Sequence, residues 1–156
     1  VSVNSPAVRS PRLITAGAAL FGSQCVVLGM DALADPSMPS GYRVVIDGGR
    51  TPTDLDALAW ARQAERLGAG EIVLNSIDAD GTRQGYEIRL TRMISQAVGI
   101  PVVASGGAGT PDHVVDVLRE GAADAALVAS MVHFGTYRIA DIKQRLRAAG
   151  IPVRIG

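Results

Sequence analysis

The chain has 156 residues, room for one domain or one and a half. Its 15 Lys+Arg balance 15 Asp+Glu, which argues against a nucleic-acid binder or a membrane-surface protein carried by basic excess. A hydrophobic fraction of 47% with 19% charged residues excludes disorder, and the single cysteine, Cys25, excludes a disulfide framework or a cysteine-rich zinc site.

No apolar run approaches the roughly 20 residues of a membrane span. No signal-peptide pattern opens the sequence, and the cysteine usage suits a reducing compartment, so a cytoplasmic protein is expected. Residue 1 is Val rather than Met, so a fragment or a processed chain is expected.

Short apolar runs mark strands at Val1 to Asn4, Cys25 to Asp31, Glu71 to Ile77, Val102 to Ser105 and Ala125 to Ser130. Their continuous apolar character predicts burial on both faces. Helices are predicted at about 10–21, 53–67, 87–98, 111–120 and 138–149. Ser10-Pro11 and Thr110-Pro111 each place a capping hydroxyl before a proline at the first helical position. Gly22, Gly68, Gly99, Gly121 and Gly150 stand just past helix ends, where positive φ is useful. Strand and helix alternate, so the fold class is α/β with about five parallel strands and right-handed crossovers, residues 1–156 forming one domain. Residues 32–52, with Asp47-Gly48-Gly49 near their end, break the rhythm and read as a hairpin excursion. A weak repeat, Gly-Ala-x-Glu/Asp, precedes two strands at Gly68 and Gly121.

Chemistry in parallel α/β folds gathers at the C-terminal strand ends. Here those ends carry Asn4, Asp31, Asn75, Ser105 and Ser130, while the strand bodies are almost free of polar groups. Ser105-Gly106-Gly107-Ala108-Gly109 lies between strand and helix, where backbone N–H groups of glycines cradle anions, and Ser130 adds a hydroxyl. A plain glycine turn is the alternative. Asp31 follows an apolar run, which suggests a pocket with apolar walls. On the residues alone, ordering the next loop is the preferred reading over acid/base use. Asp78, Asp80 and Thr82 lack calcium-loop spacing, so a loop held by Asx turns is expected, with Asp80 or Thr82 reaching a polar substrate as the alternative. No metal ligand set and no cofactor site is predicted. His113 and His133 read as structural or surface residues, Cys25 as a buried core thiol and Trp60 as packing.

Asn75 to Thr82 with Gly85-Tyr86, Val102 to Gly109, Ala129 to Gly135, and Val1 to Ser5 with Ala7-Val8 together resemble the cyclase subunit of imidazole glycerol phosphate synthase. The resemblance implies a (βα)8 barrel, of which this chain would be the C-terminal part, a partial barrel covering strands four to eight. It implies ammonia supplied by a glutaminase subunit and a bis-phosphorylated ribulosyl aminoimidazole carboxamide nucleotide as substrate. The products would be imidazole glycerol phosphate and aminoimidazole carboxamide ribotide, in histidine biosynthesis. By resemblance, Asp31 is the acid/base aspartate, which reverses the reading from the residues alone. Ser105, Gly106, Gly107 and Ser130 surround a phosphate site, Gly81 and Thr82 lie in the loop beside it, and Asn4, Asn75 and Asp80 are polar positions at the mouth.

Ala32-Leu33 replaces the basic residues common after the alanine, and Asp54 stands where glycine is common, both expected in or near the active-site loop. The other catalytic aspartate of the family has no counterpart. The alternatives are a phosphate-binding half-barrel that associates with itself or with an N-terminal half, or another sugar-phosphate barrel enzyme such as the histidine-pathway isomerase. The Asp-Ala-Asp-Gly-Thr run and the His-Phe-Gly end disfavour the isomerase.

Overall fold

Five strands run parallel and sit side by side in the order in which the chain makes them. β1 (Ser2–Val3) pairs with β2 (Val27–Ala34), and β2 with β5 (Glu71–Ser76). β5 pairs in turn with β6 (Val102–Ser105), and β6 with β7 (Ala125–Ala126). The computed structural model describes residues 1–154. Among these, the parallel sheet is open, with β1 pairing only with β2 and β7 only with β6.

The helices are α1 (Ser5–Arg9), α2 (Arg12–Phe21), α3 (Ala57–Leu67), α4 (Ile88–Ser95), α5 (Pro111–Arg119), α6 (Ser130–His133) and α7 (Ile139–Ala148). Contacts run α2 to α3 to α4 to α5 to α7, so the helices form one continuous layer. That layer buries alternate strand residues: Leu28, Met30 and Ala32, then Ile72 and Leu74, then Val102 and Ala104. Trp60, Ala61, Leu90 and Ile94 join them from the helix side. Each large apolar side chain so removed from water contributes about 1.5–3 kcal/mol.

The other face is only partly buried, against the expectation of cover on both sides. Val27, Gly29 and Asp31, Val73 and Asn75, and Val103 and Ser105 all lie there. The runs read as continuously apolar because this open face is itself lined by valines until its last row. In that row Asp31 pairs across to Asn75, and Asn75 to Ser105.

The excursion is a hairpin. β3 (Tyr42–Ile46) runs antiparallel to the second half of β2 and to β4 (Thr51–Asp56). Its turn places Asp47, Gly48 and Gly49 at φ 56, 69 and 79, a run that glycine makes inexpensive. Because β4 continues through a bulge to Asp56, which pairs with Arg43, the helix predicted from 53 begins at Ala57, where Asp56 caps it by accepting from the Ala59 N–H at 3.0 Å.

Several other expectations change. The helix predicted over 10–21 is preceded by a separate turn, α1, opened by Ser5-Pro6, and Ser10 ends that turn instead of capping α2. Thr110 caps α5 as expected, accepting from the His113 N–H, with Pro111 first in the helix. Gly22, Gly68 and Gly150 have positive φ, but Gly99 and Gly121 do not. Gly121 is instead a close approach, since a Cβ there would lie 2.5 Å from the Val117 carbonyl oxygen. The left-handed residue in that bend is Ala122, which is equivalent to Gly68, so the apparent Gly-Ala repeat is one residue out of structural register. The last strand stops at Ala126, and Ser130 opens α6. Cys25 ends a 3₁₀ turn (Ser23–Cys25) and is exposed, not a core thiol. Trp60 is buried, as packing requires. Among the described residues no helix is long and apolar enough to cross a membrane.

Candidate functional site

The strands deliver their polar residues to one end of the open face. Asp31 is central. Its Oδ2 accepts from Asn4 Nδ2 at 3.0 Å and its Oδ1 from Asn75 Nδ2 at 3.2 Å. Asn4 comes from the exit of β1 and Asn75 from the adjacent β5, so both carboxylate oxygens are held by flanking amides. Both oxygens of this acid are thus hydrogen-bonded to amides at the end of a face lined by valines.

Asn75 also joins this cluster to the glycine turn. Its Oδ1 lies 2.7 Å from where a Cβ on Gly106 would stand. Gly106 and Gly107 have φ of 86 and 100. A Cβ on Gly107 would meet the Gly85 carbonyl oxygen at 2.0 Å, and one on Gly109 the Arg83 carbonyl oxygen at 2.1 Å. The Gly85 N–H donates to the Gly107 carbonyl at 2.8 Å. The turn after β6 is therefore pressed backbone-to-backbone against the loop after β5, which by itself requires glycine.

Between these loops and the start of α6 lies a cavity of about 130 Å³. Asp80, Gly81, Ser105, Gly106, Gly107 and Ser130, six of the predicted positions, line it. Arg83, Ala108, Leu127 and Ala129 complete the lining. Tyr86 braces this end: its hydroxyl donates to the Leu127 carbonyl at 2.8 Å, and burial pushes that hydroxyl's pKa up, so it stays a donor.

Other predicted residues lie elsewhere. Thr82 does not line the cavity. Its hydroxyl donates to the Ala79 carbonyl and accepts from the Gln84 N–H, making a turn. The loop is not held by Asx turns of its aspartates. Ser76 and Thr82 hydroxyls close its turns, and Asp78 reaches across to accept from the Ala34 N–H at 2.7 Å, tying the loop to the end of β2. Asp54 is on the outer strand β4 with a fully exposed side chain 3.5 Å from Arg43. Leu33 pairs with Arg43 in the hairpin. His113 Nδ1 accepts from the Gly109 N–H and steadies the glycine turn, while His133 is exposed against the Phe134 ring.

The residue that the sequence reading missed is Arg83. One signal was available: it is the only basic side chain between Asp78 and Gly85. Leu127 carried no such signal, and Tyr86 was visible only as part of a motif, because their contact depends on which loops the fold brings together.

A parallel sheet wound in one direction, with helices on one face and a clasped carboxylate and cavity at its C-terminal ends, defines an α/β fold. Residues 1–138 match the family described as "Histidine biosynthesis protein", and the chain belongs to that family. It is 68% identical over 157 residues to the imidazole glycerol phosphate synthase subunit HisF of Syntrophobacter fumaroxidans, covering 99% of this chain and 61% of the relative. The HisF subunits of Desulfatibacillum aliphaticivorans and Nitratidesulfovibrio vulgaris are 62% and 56% identical, again over 99% of this chain. The chain thus spans about 61% of the length of the relatives it matches.

Proposed function

We propose that this chain is the C-terminal, strand-four-to-eight portion of a (βα)8 cyclase subunit of imidazole glycerol phosphate synthase. In this reading residues 1–156 form one domain. Ammonia from a glutaminase subunit reacts with the bis-phosphorylated ribulosyl aminoimidazole carboxamide nucleotide. Cyclisation and cleavage then give imidazole glycerol phosphate and aminoimidazole carboxamide ribotide, in the cytoplasm.

The observation that carries the proposal is the clasp on Asp31 beside the glycine-lined cavity. Asp31 is the group that takes and returns protons during ring closure, with Asn4 and Asn75 fixing the direction of its oxygens. Ser105, Gly106, Gly107 and Ser130, with Gly81 and Asp80, surround one phosphate of the substrate. Thr82 acts through the shape of the loop that carries Gly81. The half-covered sheet supports a barrel whose remaining strands close over the valine face. The HisF names of the relatives favour the cyclase over the histidine-pathway isomerase.

The ammonia-dependent reaction is the test, run on the chain alone and mixed with the unmatched portion of a relative's chain. Turnover is expected in the mixture and little without it. A mixture that associates yet stays inactive would overturn the reading.

A further inference from the structure

We infer that Arg83 is the charge partner that makes the cavity select an anion, and that Phe134 and Gly109 hold it there. This rests on the phosphate reading of the same cavity and adds the residue that sets its affinity.

The cavity lining contains one acid, Asp80, and one cation, Arg83. Without Arg83, an entering anion would meet hydroxyls, glycine backbone and a carboxylate that repels it. With Arg83 the lining is neutral and offers a planar fork of donors suited to phosphate oxygens. Among the described residues Arg83 makes no ion pair, so its donors are uncommitted.

Three features converge on its placement. Its guanidinium carbon lies 5.7 Å from the centroid of the Phe134 ring, within cation–π range, and this accounts for an aromatic ring left 68% exposed. Its backbone is left-handed, φ 58, where glycine would sit without strain and an arginine does not. Its carbonyl occupies the space that a side chain on Gly109 would fill, so Gly109 makes room for this conformation. Arg83 belongs to the loop after β5 and Phe134 to the end of α6, the helix whose first residue, Ser130, lines the cavity, so the contact ties the two together.

Inorganic phosphate titrated into the full chain at low ionic strength, followed by calorimetry, tests this. Wild type is expected to bind, with affinity falling as salt rises. Arg83→Gln keeps the Cβ and the backbone conformation but loses the charge. It should weaken binding on the order of tenfold and flatten the salt dependence. Arg83→Gly removes the backbone strain as well, so its melting temperature should equal or exceed wild type while its affinity falls like that of Arg83→Gln. Phe134→Leu should give an intermediate loss. Phosphate binding by wild type that is unchanged within twofold in Arg83→Gln or Arg83→Gly would overturn the role of Arg83 and leave the site standing. No binding by wild type would instead overturn the phosphate reading itself.

Discussion

Asp31 illustrates what a single residue discloses. Its position at the end of an apolar run marked it as the acid on the strand ends, and the polar identity of Asn75 was equally visible. Their contact was not, because it depends on the parallel register that sets Asp31 opposite Asn75. Asp35 was only partly legible: its turn with Ser37 is local, but its bond to Arg43 is not. It accepts from Ser37 through both N–H and hydroxyl, a local turn two residues long, and from Arg43 Nε at 2.6 Å, a bond that exists only once the hairpin folds back. The Ser37 hydroxyl first, and then Arg43, lower its carboxyl pKa from 3.8 to about 2. A folded-state pKa below the unfolded one means the stabilisation is complete above 3.8 and is lost as pH falls toward 2. Urea midpoints measured between pH 4 and 2 should therefore fall less steeply for Asp35→Asn than for wild type. Equal slopes would remove Asp35 from the account of acid sensitivity.

At the scale of elements, strand-helix alternation was legible because apolar runs and glycine or proline punctuation are local. The five parallel strands and the hairpin are all present, though the second strand starts at Val27, the last stops at Ala126 and the hairpin runs on to Asp56. The end of β4 and the start of α3 were not legible, since Thr53 to Asp56 have no strong helix or strand signature and the strand is closed by the pairing of Asp56 with Arg43. The glycine turn was legible as a turn but not as a loop-on-loop contact. Substitution at Gly107 therefore reports on packing before it reports on any ligand. Gly107→Ala places a methyl 2.0 Å from the Gly85 carbonyl oxygen at φ 100, whereas Gly48→Ala, at φ 69, meets nothing within 4 Å. Both carry the left-handed cost of about 1–2 kcal/mol. Only Gly107→Ala adds an overpacking cost of about 1–3 kcal/mol, so its melting temperature should fall clearly further. Equal losses would show that the loops part freely.

On the scale of the whole molecule, one side of the sheet is sealed by helices and the other presents valines and a polar row. At the β1 edge Val1 and Phe21, 80% and 59% exposed, line an apolar pocket with Val3 and Leu13, beside a strand that among the described residues pairs on one side only. Self-association is the expected consequence for the isolated chain, most simply as a two-fold dimer. Sedimentation equilibrium at micromolar concentration should show it, and a clean monomer would contradict it. In the proposed function Asp31, held by Asn4 and Asn75, does the acid/base work of a cyclase. Asp31→Asn keeps the shape and removes the titratable proton. In the ammonia-dependent assay, with the remaining portion of the barrel supplied, it should lower turnover on the order of 100-fold or more. A variant that keeps most of the wild-type rate would contradict the account.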